Sequence, residues 1–265
     1  MRGKAIRLSV QRRMVIDLLH FASAIPTVPV QRRMSLGPLA AARAACRERP
    51  RWTAIFAKGY ALVAHEFPDL RRAYIKIPWP HLYEYPASIA SIIIEREYRG
   101  EPCLFSILVN DLDTLSLREL GRLLQHAATA PVDEIKKFRL SLQIGRLPRP
   151  VRRLLWWLGL NIGRHRATYF GTFALSVYSA LKAESLHPLT PLTTLLNYGI
   201  INSDGNVNVR IIYDHRVMDG AIVARALARL EKILNTVVAD ELRSLDESRT
   251  KTDKANLGFE PLGSA

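Results

Sequence analysis

The amino-acid sequence predicts an α+β chain in which helices and strands intermix within one domain. Three observations carry this. Of 265 residues, 48% are hydrophobic, enough for a sizeable core, while 14 Gly and 15 Pro are too few for a collagen-like or low-complexity chain. Stretches with apolar residues at helical spacing are interspersed with β-branched runs. No linker long enough to split the chain appears, and the absence of GxGxxG and P-loop motifs argues against a parallel nucleotide-binding sheet.

The elements follow in order. Ile6, Val10, Met14 and Leu18 recur among arginines, predicting an amphipathic helix over residues 5–20. Residues 24–30, with Pro26 and Pro29, read as an edge strand or extended segment. Residues 38–47 and 52–67 are two helices separated by Pro50, the second Ala-rich. Residues 73–78, 87–97 and 102–110 read as strands, with a hairpin at 99–102. Ser116 and Glu119 have capping-box spacing for a helix to about Ala128, and Pro131 is expected to open the next helix. Pro148 to Leu158 is a basic-aromatic segment, 169–177 and 207–213 are strand-like, and 221–238 is a strong helix with Val223, Leu227, Leu230, Leu234 and Val237 on one face. The division expected is a single domain over 1–245 and a polar, mobile tail over 246–265. QRRM occurs at 11–14 and again at 31–34, but its flanks differ and it reads as chance.

The formal net charge is +14, so long-range electrostatics point to an anionic partner. From Ile135 to Ala183 there is no acidic residue, while Lys136, Lys137, Arg139, Arg146, Arg149, Arg152, Arg153, Arg164, Arg166 and Lys182 fall there, and the stretch reads as a basic surface. Nucleic acid is disfavoured as the partner, because no helix-turn-helix, zinc-finger or interleaved basic-aromatic tract accompanies the charge. Cys46 and Cys103 show no metal-ligand spacing and read as reduced thiols of a cytoplasmic protein. No metal site is expected. Arg12-Arg13 and Ala22-Ser23-Ala24 have the look of a secretion signal, but Asp17 and His20 interrupt its apolar region. No apolar run reaches the roughly 18–20 residues a membrane span needs.

The most informative residues are Asp214-His215-Arg216-Val217-Met218-Asp219-Gly220, between a strand and a helix. A histidine followed four residues later by aspartate is weak taken alone, and a structural pair is its plainer reading. The whole string resembles the DHRxxDG motif that ends the catalytic domain of dihydrolipoamide acyltransferases, the core components of 2-oxoacid dehydrogenase complexes, and of the chloramphenicol acetyltransferases that share their fold. Gly171-Thr172-Phe173-Ala174-Leu175-Ser176 is similar to that family's GTFTIS strand, and Thr190-Pro191 to the TPI that follows it. The likeness spans roughly residues 5–245. Pro26-Thr27 stands where the family has IPH, the path from Ser176 to His215 is shorter, and residues 145–165 look like an insertion.

The resemblance implies a two-layer sandwich of the chloramphenicol acetyltransferase-like kind, a mixed sheet packed with helices. It also implies a homotrimer with His215 facing Ser176 of a neighbour. It implies an acyltransferase using coenzyme A as a substrate, with His215 as general base and Ser176 as oxyanion donor. Asp219 is then structural, paired with Arg12 or Arg13, and Gly220 fits a turn where a side chain would clash. The chemistry suits the residues: a thiol is mostly protonated at neutral pH and needs an imidazole-like base, and the tetrahedral oxyanion needs a hydroxyl donor. Ser176 has a plainer reading too, as a polar residue ending a strand. The chain shows no lipoyl-bearing domain, so no covalently bound lipoyl group and no ordinary dehydrogenase complex are expected. Two other readings stay open: a non-catalytic trimeric scaffold that kept the fold, and a peripheral membrane contact through 149–158, whose apolar residues could equally be core or trimer contact.

Overall fold

The computed structural model describes residues 1, 3–177 and 183–245; the tail read over 246–265 lies outside the described residues. Its frame is a six-stranded mixed sheet in the order β1-β8-β7-β6-β4-β5, with helices against it, and a separate two-stranded hairpin.

Helix α1 (Val10–Ala22) begins where Ser9 Oγ accepts the Arg12 amide at 3.3 Å, so the amphipathic helix starts later than its spacing predicts. Strand β1 (Thr27–Ser35) is a sheet edge antiparallel to β8, which is why it tolerates Pro29. Helices α2 (Gly37–Ala45) and α3 (Trp52–Glu66) follow; α3 is buried on most sides and is the central helix of the core. Strands β2 (Arg72–Ile75) and β3 (His81–Glu84) make the small hairpin. Strands β4 (Ala90–Tyr98) and β5 (Glu101–Val109) meet across Arg99-Gly100, both at positive φ, the two-residue turn whose twist suits antiparallel strands. Helix α4 (Leu117–Thr129) has the expected capping box: Ser116 Oγ accepts from the Glu119 amide and Glu119 Oε2 accepts from the Ser116 amide.

Helices α5 (Lys136–Arg146), α6 (Arg149–Asn161) and α7 (Gly163–Phe170) form the connection back to β6 (Phe173–Leu175). Two expectations change here. Pro131 sits in a turn and the helix starts five residues later. Tyr169 closes α7 instead of opening a strand; the break falls at Gly171, whose φ of +90° and a Cβ position 2.8 Å from the Ile89 carbonyl oxygen leave room for glycine alone. The chain ends with β7 (Thr194–Tyr198), β8 (Asn206–Asp214) and α8 (Gly220–Ile233), which runs into a wider turn at Leu234–Val238.

One face of the sheet holds the main core. Phe173 stacks on Tyr60 and Tyr198 on Phe56, each pair with ring centroids 4.1 Å apart, fixing α3 across β6 and β7. Side chains alternate along a strand, so Ala174 and Ser176 point to the other face, where Ala174, Leu195 and Ile212 pack with Leu192 and Phe170. The basic stretch is not one surface. Arg152 and Arg166 are buried, and Arg152 Nε donates to the fully buried Asp17 carboxylate at 2.6 Å, tying α6 to α1. Isolated charges are not left in an apolar interior, and this pair explains both the arginine and the aspartate that interrupts the apolar region of α1. Cys46 and Cys103 are both buried. Among the described residues no helix is long and apolar enough to cross a membrane, and no His/Cys/Asp/Glu group is placed to hold a metal ion.

Candidate functional site

β8 ends at Asp214, and the chain turns through His215–Asp219 into α8. The turn is locked from both sides of the histidine. His215 donates its backbone N–H to the Pro26 carbonyl at 3.0 Å, joining the turn to the segment before β1. Asp214 is fully buried and accepts three bonds from Arg216: from its amide at 3.0 Å, from Nε at 2.9 Å and from Nη2 at 2.7 Å. The Arg216 guanidinium lies over the Tyr74 ring, 4.5 Å from its centroid, so the β2–β3 hairpin also braces the turn. Behind it, buried Arg166 donates to the Pro191 carbonyl at 2.8 Å. Burial holds Arg166 below the ordinary arginine value, and the nearby Tyr85 and Asp214 oppose that.

With both neighbours fixed, the His215 ring projects outward. Its side chain is 49% exposed, and Nδ1 lies 3.7 Å from Asp219 Oδ1. Tyr213, two residues earlier, places its ring 5.5 Å from the imidazole. Burial and the Asp219 charge push the Tyr213 phenol above its ordinary value. A Cβ at Gly220 would lie 3.2 Å from the Tyr213 hydroxyl, a tight fit that suits glycine.

Within the described residues of one chain, Asp219 does not meet the arginines expected as its partner. Its side chain is 81% exposed, and among the described residues no ion pair joins it to Arg12 or Arg13 within one chain. Helix α1, which carries both arginines, packs against α5, α6 and β5 instead. The buried acid of this turn is Asp214, whose arginine is two residues away. The motif carries no expected role for Asp214 and Arg216; their positions on either side of the histidine are the signal in the sequence. Nothing local marked Arg166 or Tyr74.

Ser176 follows β6. Its amide donates to the Leu196 carbonyl at 3.3 Å, and its own carbonyl accepts from Asn197 Nδ2 at 2.6 Å. Arg210 backs Asn197 and is itself held by Glu184, Nη2 to Oε2 at 2.7 Å. That bond holds the Glu184 carboxyl below its ordinary value, with burial acting the other way. Ser176 is buried.

One chain does not bring Ser176 and His215 together. In the sheet register Ser176 is level with Asn197, and Asn197 pairs with Arg210, five residues before His215. At about 3.3 Å per residue the two side chains are separated by roughly 16 Å along the sheet, and by two strand spacings of about 4.8 Å across it.

Neither a protein-family model nor a curated protein sequence matches the chain. Solved structures do match. A probable dihydrolipoamide acetyltransferase of Listeria monocytogenes aligns at 17% identity and a TM-score of 0.65, over 89% of this chain and 95% of that one. The dihydrolipoamide acetyltransferase of Azotobacter vinelandii, whose structure accompanied a study of a serine, a histidine and an asparagine in its catalytic mechanism, aligns at 17% identity and a TM-score of 0.63, over 90% of this chain and 93% of that one. A chloramphenicol acetyltransferase aligns at 15% identity and a TM-score of 0.51, over 86% and 96%. The fold is therefore the chloramphenicol acetyltransferase-like one that the motifs implied, and the likeness is one of fold.

Proposed function

We propose that the protein is an acyltransferase that moves an acyl group from a coenzyme A thioester to a thiol, hydroxyl or amine acceptor, at sites formed between neighbouring copies of a homotrimer. The observation that carries this is His215: an outward-facing, half-exposed imidazole on a turn immobilised by the pairing of buried Asp214 with partly buried Arg216.

In the reaction His215 takes the proton of the acceptor as the acceptor attacks the thioester carbonyl. The carbonyl becomes a tetrahedral oxyanion, to which Ser176 of the adjacent copy donates its hydroxyl. Collapse breaks the carbon–sulfur bond, and the imidazolium returns the proton to the departing CoA thiolate. The exposed Lys136, Arg139, Arg146, Arg149 and Arg164 raise the local concentration of the phosphate-bearing substrate. A study of serine, histidine and asparagine in the Azotobacter enzyme, with the asparagine four positions after the histidine, parallels Ser176, His215 and Asp219 here.

Co-expression of differently tagged His215→Ala and Ser176→Ala chains tests the arrangement. The readout is release of free CoA thiol from acetyl-CoA, given a panel of thiol, alcohol and amine acceptors. Each variant alone is expected to be nearly inactive. An equal mixture should regain about a quarter of the wild-type activity, the fraction of interfaces that unite an intact histidine with an intact serine. A mixture no better than its components would sink the shared site, wild-type turnover by either variant would sink the catalytic assignment of that residue, and no turnover by the wild type would favour a scaffold.

A further inference from the structure

A second site lies away from His215. Helices α1, α5, α6 and α7 enclose, with the outer face of β5, a cavity of about 510 Å³. Its walls are apolar: Met14, Leu140, Ile144, Leu155, Trp156 and Phe170. Gly159 belongs to the same wall, where a Cβ would come 2.7 Å from the Phe170 ring. Against this lining stands Lys137, whose neighbours at the rim include His165 and Ser141. Lys137 Nζ donates to the Tyr169 carbonyl at 2.6 Å, and among the described residues no carboxylate pairs with it. The acid-free stretch from 135 to 183 supplies α5, α6 and α7, so these three helices offer no acid of their own. Burial holds the Lys137 ammonium below the ordinary lysine value, the effect expected of a cation turned toward apolar walls.

We propose that this cavity binds a single-chain amphiphile bearing a carboxylate, a fatty acid, with its tail between α1 and α6 and its head on Lys137. The charge is complementary, since an ammonium with one of its three protons committed to Tyr169 keeps two for an anion. The size is suitable. Laurate has 14 heavy atoms, and at about 30 Å³ for each water-sized atom it needs roughly 420 Å³. The mouth is suitable as well, because Leu155 and Leu158, which line the cavity, are also exposed beside Leu154 and Trp157 on the outside of α6. An exposed apolar rim around a cationic cavity fits a ligand delivered tail first. The proposal is independent of the acyl-transfer reading, because it concerns neither His215 nor Ser176.

The experiment titrates the whole protein with laurate, and with dodecanol as the uncharged chain of equal length, following the fluorescence of Trp156 and its neighbours and confirming stoichiometry by calorimetry. Laurate is expected to saturate one site per chain with a Kd at or below about 0.1 mM, and dodecanol to bind about tenfold more weakly. Lys137→Gln keeps a donor for the Tyr169 carbonyl while removing the charge, and should bring laurate down to the dodecanol level. Ile144→Trp should fill the cavity and remove both. Equal binding of the two probes, unchanged by Lys137→Gln, would overturn the head-group assignment. No saturable laurate binding would overturn the site. Sedimentation with anionic phospholipid vesicles without saturable laurate binding would also overturn it, assigning the α6 face to a bilayer surface instead. Loss of acyl transfer by the His215 variant bears on the other site alone.

Discussion

The two ends of the sheet that carry the proposed catalytic side chains are built alike and finished differently. At the end of β8, a carboxylate–arginine pair, Asp214 with Arg216, fixes the backbone on either side of His215. Beyond β6, the Glu184–Arg210 pair sits behind Asn197, which holds the Ser176 carbonyl. In each case a paired arginine orders the main chain one contact behind the reactive residue. The difference is in exposure: the imidazole emerges half into solvent, while the serine stays buried. A base must meet a mobile acceptor, whereas an oxyanion donor works best where water is excluded and its dipole is already oriented. On the proposed reading, the comparison teaches that the fold immobilises backbones and leaves the chemistry to side chains that a neighbouring copy would bring together.

The comparison can be broken most directly at its two reactive residues. His215→Ala should lower kcat by about 10³-fold, the middle of the range for a positioned general base, with the melting temperature unchanged because the ring packs against little. Ser176→Ala should lower kcat by about 10²-fold with the KM for acetyl-CoA unchanged, since the hydroxyl acts once the oxyanion forms. A raised KM with normal kcat would instead make Ser176 a contact of the ground state.

The two supporting pairs sharpen the comparison through stability. Asp214→Asn strips the charge from a fully buried carboxylate and leaves Arg216 and buried Arg166 without it, so it should destabilise by about 3 kcal/mol. For a chain of this size that lowers the melting temperature by roughly 6–12 °C in a thermal scan. Glu184→Gln should cost less, about 1.5 kcal/mol, because an amide oxygen can still accept from Arg210. Its pH dependence has a definite sign. The Arg210 bond depresses the Glu184 carboxyl in the folded chain, so its stabilisation is fully present above the unfolded value near 4.5 and is lost as pH falls through the depressed folded value. Scans of wild type and Glu184→Gln should therefore differ at pH 7 and converge as pH falls below about 4.5. A gap that persists or widens in acid would show that packing, not charge, is what Glu184 supplies.

What could be read from the sequence divides along the same line between local and distant causes. The Ser116–Glu119 box, the Arg99-Gly100 hairpin and the His215 turn rest on residues within a few positions of one another, and all were legible. QRRM shows the limit: at 11–14 it is helix, following the Ser9 cap, and at 31–34 it is strand, paired with Val207–Arg210. Four residues do not choose; the cap and the neighbouring strand do. The basic stretch misled for the same reason. Arg152 and Arg166 look like surface charge until Asp17 and the β8 turn, far away in the chain, are folded beneath them. The resemblance pairs Arg12 or Arg13 with Asp219, and the α1 packing that separates them depends on α5 and on α6, the latter within the insertion-like residues 145–165.

The smallest expected effect belongs to Asp219 itself. With its side chain 81% exposed and no arginine pairing with it among the described residues, Asp219→Asn should leave the melting temperature unchanged within about 1 °C. What it removes is one negative charge 3.7 Å from His215 Nδ1, beside the ring that becomes positive in the proposed reaction when the acceptor loses its proton. In a solvated setting a unit charge at that distance is worth no more than about a factor of ten, so kcat should fall by roughly three- to tenfold at low ionic strength. Salt then separates charge from structure. Near 1 M the screening length is about 3 Å, and the wild-type and Asn enzymes should approach the same kcat at saturating substrate. If the variant instead loses thermal stability, or loses activity equally at every salt concentration, Asp219 is a structural member of the turn after all, held by a contact that only the assembled neighbour supplies.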